Sequence, residues 1–182
     1  LKTPKPLIQI NDKKFLDILL CKLIKYNFEH IYLICSYQKE KFFNLYNNKL
    51  LHNSKIICID EGSQKDTAGG LYKIKNKIKD NFFLMNGDSY FDINLNLLRN
   101  LLKNDYMGVM SLTNNKDYKK NKKMNNLYVE KNNLIKFSDS KSPLMNGGIY
   151  FFSKKIFKFI TNKKISLEND ILSNLIINKT VV

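Results

Sequence analysis

Apolar positions in the first half of the chain switch between two periods. After a proline-flanked opening, residues 7–10 (LIQI) read as a short extended stretch. Phe15, Leu16, Leu19, Leu20, Leu23 and Ile24 then recur at helical spacing, with Asn11 and Asp12 placed to cap the helix and Asn27 to end it. Residues 30–35 (HIYLIC) are a short apolar run with β-branched side chains, which predicts a buried strand. Residues 38–47 return to the helical period, with Phe42, Phe43 and Tyr46 on one side. Residues 55–59 (KIICI) predict another strand, residues 67–79 another helix and residues 82–85 (FFLM) another strand. Strand and helix alternating at short spacing predict an α/β fold with a mainly parallel sheet, covered by helices on both faces.

The second half is less regular. Residues 95–102 suggest one more helix and residues 106–112 (YMGVMSL) a strand. Residues 114–126 are polar and lysine-rich without an apolar period, as in a mobile loop. Residues 127–130 and 134–137 predict a hairpin around Asn132 and Asn133, since asparagine tolerates positive φ. Residues 148–152 (GIYFF) predict a strand, Ser153 caps a helix over 154–159, and Ser166 caps another over 167–176. No internal repeat or linker interrupts the 182 residues, a length that suits a single domain.

Composition narrows the function classes. Apolar residues at 43% and aromatics at 12% support a sizeable core and exclude a disordered chain. No apolar run approaches the roughly 20 residues of a membrane helix, so no membrane insertion is expected. The opening LKTPKPLIQI lacks the pattern of a signal peptide. Lysine and arginine number 31 against 16 acidic residues, a net charge of +15. Such a balance invites a nucleic-acid reading, but Arg99 is the only arginine. Arginine is the residue that reads guanine and phosphate in a fixed fork, so the charge reads as a solvated lysine surface with no specific nucleic-acid partner. A nucleic-acid binder stays the alternative on charge alone. Cys21, Cys35 and Cys58 lie far apart in apolar stretches, as buried reduced thiols do in a cytoplasmic protein. His30 and His52 have no ligand-like spacing, which argues against structural zinc.

Candidate chemistry gathers at glycine-containing turns. Asn86-Gly87-Asp88 directly follows FFLM. Glycine lets backbone approach a ligand closely, and a carboxylate at a strand's end is a natural ligand for Mg²⁺ together with phosphate oxygens. A plain Asn-Gly turn with a capping aspartate fits the same letters. Asp66-Thr67-Ala68-Gly69-Gly70 opens a helix, whose free N–H groups and dipole favour an anion or a polar base edge. Capping by Asp66 or Thr67 with tight packing at the glycines is the plainer alternative. Lys5 sits between Pro4 and Pro6, a cation on a stiff mount that suits phosphate but also fits an exposed surface lysine. Asn146-Gly147-Gly148 precedes a predicted strand and offers an amide and open backbone to a hydroxylated ligand. Glu168 could accept hydroxyl hydrogen bonds, or act as the capping partner of Ser166.

Taken together, PKPLIQINDKKFLDILLCKL, IYLICSY, DTAGGL, FFLMNGDSYFDINL, MNGGIYFFSKKIF and SLEND span nearly the whole chain. In this order and spacing the sequence resembles the sugar-1-phosphate nucleotidyltransferases. NGDSYFDINL and MNGGIYFFS look most like the branch that includes heptose-1-phosphate guanylyltransferases. The resemblance implies a Rossmann-like three-layer α/β/α fold of the nucleotide-diphospho-sugar transferase type. It implies transfer of a nucleoside monophosphate from an NTP to a sugar 1-phosphate, with Mg²⁺, giving an NDP-sugar for surface polysaccharide synthesis. Lys5 would contact phosphate and Asp88 would hold the metal, with Gly87 beside the ligand. Asp66, Thr67, Ala68, Gly69 and Gly70 match a segment that contacts base and sugar, and Asn146, Gly147 and Glu168 match sugar-contacting positions. NTP and sugar 1-phosphate are the implied partners, and self-association is compatible with the family.

Departures from the family pattern shape further expectations. The GGxGTRL phosphate loop belongs upstream of PKP and a second metal aspartate belongs in a DIGTP-like segment beyond the last helix. The expectation is a domain shortened at both ends that binds the sugar side weakly and turns over slowly or not at all. Lys141 is displaced by one from the family's sugar-phosphate lysine, and the usual Tyr-Gly before the hairpin is missing. Phosphocholine-type cytidylyltransferases, nucleotide-diphospho-sugar glycosyltransferases and a non-catalytic binding subunit on the same fold stay open as alternatives.

Overall fold

The computed structural model describes residues 3–62, 66–103, 105–114, 126–138 and 142–182. They form two compact units, Leu1–Lys65 and Asp66–Val182. The predicted loop over 114–126 lies, from 115 to 125, outside the described residues.

In the first unit, Lys5–Leu7 is a 3₁₀ turn in which Leu7 N–H donates to Pro4 O at 2.9 Å. Strands β1 (Gln9–Ile10) and β2 (Lys13–Lys14) pair antiparallel. Asn11 and Asp12 therefore turn this hairpin and do not cap the helix. Asn11 takes φ +52°, a left-handed conformation asparagine tolerates. Helix α1 (Phe15–Leu23) instead begins after Lys14, whose backbone N–H donates to the Asp17 carboxylate at 3.2 Å. A 3₁₀ turn over Ile24–Tyr26 closes it, and Asn27 at φ +49° ends it as the pattern predicts. Strands β3 (His30–Cys35) and β5 (Ser54–Asp60) form a parallel ladder with Ile31 opposite Ile56 and Leu33 opposite Cys58. Helix α2 (Lys39–Tyr46) connects them, and the short β4 (Leu50–Leu51) pairs antiparallel with β5. Leu16, Leu20, Cys35, Phe42, Tyr46, Ile56 and Cys58 are the buried centre of this unit. Tyr46 Oη donates to Asp17 Oδ1 at 2.7 Å, and burial followed by that carboxylate holds the phenol above its usual range.

The cysteines part company. Cys35 and Cys58 are buried free thiols, and burial pushes Cys35 up to about 12. Cys21 is exposed, against expectation. It follows the buried Leu19 and Leu20 on α1, and one further helical step of about 100° turns it off the apolar stripe.

In the second unit, helix α3 (Asp66–Leu71) passes into a 3₁₀ turn over Tyr72–Ile74. The predicted helix is thus cut short; two adjacent glycines are poor helix formers, and residues 75–79 offer one apolar side chain, Ile78. Strand β6 (Phe82–Met85) follows, then α4 (Leu95–Leu101), capped by Asn94, whose Oδ1 accepts the Asn96 N–H at 3.1 Å. Strand β7 (Gly108–Asn114) precedes the hairpin β8 (Leu127–Val129) and β9 (Ile135–Phe137), turned through Asn133 at φ +66°. Strand β10 (Leu144–Phe152) starts earlier than predicted and lies between β6 and β7, antiparallel to both. The mainly parallel sheet predicted from strand–helix alternation is therefore found only for β3 with β5; among the described residues the other ladders are antiparallel, because the late strand β10 inserts between β6 and β7 and runs against both. Tyr150 and Phe152, both fully buried, stack at 5.4 Å between ring centroids.

Ser153 and Ser166 both cap as predicted, but the elements differ: Lys154–Lys158 is 3₁₀, and Leu167–Leu172 is a π-helical turn leading into α5 (Ser173–Ile177). The last residues lie beside β7, with Met110 N–H on Val182 O at 2.7 Å and Val182 N–H on Gly108 O at 3.1 Å. Among the described residues no helix is long and apolar enough to cross a membrane.

Candidate active site

The end of β6 and the first half of β10 meet at a break in the sheet. From Asn146 to Tyr150 β10 advances four residues while β7 opposite advances two, from Leu112 to Met110. The extra backbone bulges. Gly148 takes φ +76°, and its N–H is accepted by its neighbour Asn146 Oδ1 at 2.9 Å. Ile149, opposite Met85 of β6 but without a partner in β7, donates its N–H to the buried Ser111 Oγ at 3.1 Å. Asn86 N–H donates to Gly148 O at 2.9 Å, carrying the ladder with β6 one step past its end. The Asn-Gly-Gly segment thus lies inside the strand, where the sequence placed it in front.

Both glycines have steric reasons. A Cβ on Gly148 would stand 2.9 Å from Asn86 Nδ2. A Cβ on Gly147 would stand 2.7 Å from Ser111 Oγ and 2.8 Å from the Phe91 ring. A Cβ this close would push the facing side chains aside, so the glycines let the two segments meet without displacing them. Gly87 and Asp88, between Asn86 and Phe91, are exposed.

Asn146 has a second bond: its Nδ2 donates to Tyr150 Oη at 2.6 Å. With Oδ1 on Gly148 N–H, the amide keeps one N–H and one lone pair for a ligand. Burial pushes the Tyr150 phenol up to about 12; the Asn146 bond opposes this and the Glu168 charge adds to it. Of the predicted sugar-side residues, Asn146 thus bonds the Tyr150 phenol directly, while Glu168 acts on it only through its charge. Nothing in the sequence singles out Tyr150 or Ser111 except polar atoms within otherwise apolar strands.

Glu168 is not the capping partner. Asn169 N–H donates to Ser166 Oγ at 3.1 Å, and Ser166 N–H donates to Asp170 Oδ2 at 2.8 Å. The π-helical turn moves the reciprocal acid one place along and leaves Glu168 exposed outside the cap.

The helix start at Asp66 is used differently from an open anion cradle. Ala68 and Gly69 N–H groups donate to Ile165 O at 3.2 and 3.3 Å. Ala68, Gly69 and Gly70 are buried, while Asp66 (φ +60°) and Thr67 are exposed. Asp66 Oδ2 lies 4.0 Å from Lys164 Nζ. The glycine stretch is thus packed, as the plainer alternative has it, and Asp66 and Thr67 stay exposed.

Lys5 belongs to the first unit. Its neighbours Pro4 and Leu7 are buried and Lys5 is exposed, so the 3₁₀ turn presents the cation outward. Lys141 lies outside the described residues.

Among the described residues no group of three His, Cys, Asp or Glu gathers as a self-sufficient metal site. The donor chemistry nevertheless fits Mg²⁺, which takes one or two carboxylates and completes its shell with phosphate oxygens and water. Asp88, an exposed hard-oxygen donor at a strand's end, meets that requirement.

The nucleotidyl transferase family model matches residues 1–180. The chain is 30% identical over 175 residues to the D-glycero-alpha-D-manno-heptose 1-phosphate guanylyltransferase of Campylobacter jejuni, covering 94% of this chain and 76% of that protein. It is 32% identical over 170 residues to the bifunctional protein GlmU of Methanocaldococcus jannaschii, covering 90% of this chain but only 38% of that relative. The crystal structure of HddC from Yersinia pseudotuberculosis complexed with GMP-PN superposes with a TM-score of 0.74 at 23% identity, covering 93% of this chain and 76% of that one. The chain belongs to the nucleotidyl transferase family.

Proposed function

We propose that the protein transfers a nucleoside monophosphate from an NTP to a sugar 1-phosphate and releases pyrophosphate. The observation that carries this reading is the family match along residues 1–180, together with the Asp88 turn seated against the Asn146 bulge. The Campylobacter relative supports a heptose-type acceptor for the same chemistry.

In the reaction, a phosphate oxygen of the sugar 1-phosphate forms a bond to the α-phosphorus. The bond from that phosphorus to the bridging oxygen breaks, and pyrophosphate leaves with the electron pair. The attacking oxygen is already anionic, so the chain need supply no covalent nucleophile. Its work is alignment and charge neutralisation. Lys5 would offset phosphate charge. Thr67 and Asp66 would face base and sugar, with Ala68, Gly69 and Gly70 shaping the wall behind them. Asn146 would give its remaining N–H, and Glu168 its carboxylate, to sugar hydroxyls, with Gly147 allowing close approach. Gly87 would do the same for phosphate. Asp88 would hold Mg²⁺, which when bound neutralises phosphate charge. Single contacts of this kind are worth on the order of 3 kcal/mol in a transition state.

The test is pyrophosphate release, with each of the four common NTPs crossed with heptose, hexose and hexosamine 1-phosphates in Mg²⁺. Release that requires both one NTP and one sugar phosphate supports the proposal. Release without any sugar phosphate, or binding of unrelated oligonucleotides that collapses with salt and no release at all, contradicts it.

A further inference from the structure

The segment 86–91 carries Asp88 yet has no strand or helix of its own. A loop of this kind presents a carboxylate at a fixed point only if something outside it pays for its ordering. The structure supplies two anchors, one on each side of Asp88. On one side Asn86 is tied to β10 by its N–H on Gly148 O at 2.9 Å, and its amide fills the space where a Gly148 Cβ would be. On the other side the Phe91 ring fills the space where a Gly147 Cβ would be. Below both, Ser111 Oγ holds Ile149 N–H at 3.1 Å and fixes the height of the bulge.

The geometry points to Gly147 and Gly148 as a two-point seat for the Asp88 loop, and to Phe91 as a positioning residue for that carboxylate. The glycine pair then serves the metal side of the reaction as well as the sugar side. This inference rests on the reading of Asp88 as the metal ligand, and deepens it by naming what holds the ligand in place. Phe91 acts through the loop and touches no substrate. Losing its ring removes one of the contacts that hold the loop, so Asp88 samples positions from which it reaches the cation less often. A gain of a Cβ at Gly147 does the same from the other side of the contact.

The experiment measures the Mn²⁺ concentration that half-saturates the complex of the protein with a non-hydrolysable NTP analogue, by water-proton relaxation. The KM of the sugar phosphate and the thermal midpoint are measured in parallel. Asp88→Asn is expected to remove the enzyme-dependent relaxation signal. Phe91→Ala is expected to raise half-saturation at least fivefold, with less than twofold change in sugar-phosphate KM. Phe91→Leu, which keeps apolar bulk without the flat ring, is expected to raise it at least twofold. If Phe91→Ala does not fold, the Phe91→Leu value decides. An unchanged half-saturation in the folded Phe91 variant, with the signal lost in Asp88→Asn, overturns the seat and leaves the metal reading standing. An unchanged signal in Asp88→Asn overturns the metal reading and the seat together. A merely structural phenylalanine would lower the thermal midpoint and leave metal half-saturation where it was.

Discussion

From Tyr150 to Phe152, β10 is paired residue by residue with β6 on one side and β7 on the other. Between Asn146, still opposite Leu112, and Tyr150 the same strand bulges away from β7, and side chains and a glycine carbonyl take over from the ladder. The regular part is aromatic and buried; the irregular part is small, polar and partly open. The contrast shows how one strand divides two tasks. The laddered residues supply packing energy and fix the strand in the sheet. Directly beyond them, two residues without Cβ atoms let a neighbouring loop approach closely enough to be held.

Breaking the regular part should have the largest effect. Phe152→Ala removes a ring that is fully buried and stacked on Tyr150, and is expected to cost about 3–5 kcal/mol in denaturant unfolding. The sugar-phosphate KM of the molecules that remain folded should not change. A KM shift there would show that the two parts of β10 are not separable.

Asp88→Asn comes next. It is expected to slow pyrophosphate release at least a hundredfold, about 2.7 kcal/mol of barrier, with unfolding unchanged. A change under threefold would remove Asp88 from the metal site.

Tyr150 links the two parts, and its ionisation sharpens the comparison. Burial raises its folded pKa to about 12, above the ordinary 10.0 of a phenol, so the folded state holds the proton more tightly. Its contribution to stability is complete below pH 10 and is lost as the pH rises through 10 toward 12, on the order of 2–3 kcal/mol in all. Cys35, raised from 9.0 to about 12, adds a fall that begins lower. Tyr150→Phe should flatten the part that belongs to the phenol. Equal alkaline slopes in the two proteins would contradict this assignment.

Gly148→Ala should have the smallest effect. A Cβ at φ +76° that also crowds Asn86 is expected to destabilise by about 1–3 kcal/mol, read as a lower denaturant midpoint. A neutral substitution would mean that the bulge relaxes freely.

Much of the frame is visible in the letters, because it depends on local periods. The strands HIYLIC and FFLM, the stop at Asn27 and the turn at Asn133 each follow from side chains and backbone preferences within a few residues. What escapes is decided by partners distant in sequence. Asn11-Asp12 turns a hairpin because β1 and β2 pair, where the letters alone fit a cap equally well. Helix α3 spends its first N–H groups on the carbonyl of Ile165, about a hundred residues away. The candidate site divides in the same way. Asp88 and Asn146 stand out as motif residues, while Ser111, Tyr150 and Phe91 acquire their roles only when β7, β10 and the loop after β6 are brought together.

The uneven exposure of the three thiols gives the molecule a built-in clock. An alkylating reagent at neutral pH should react promptly at Cys21 and stop, since Cys35 and Cys58 are sealed against the β3–β5 ladder and burial disfavours their thiolates. Any second or third adduct would then count openings of the first unit, and a mass spectrum taken over time would report how often its centre is exposed to water.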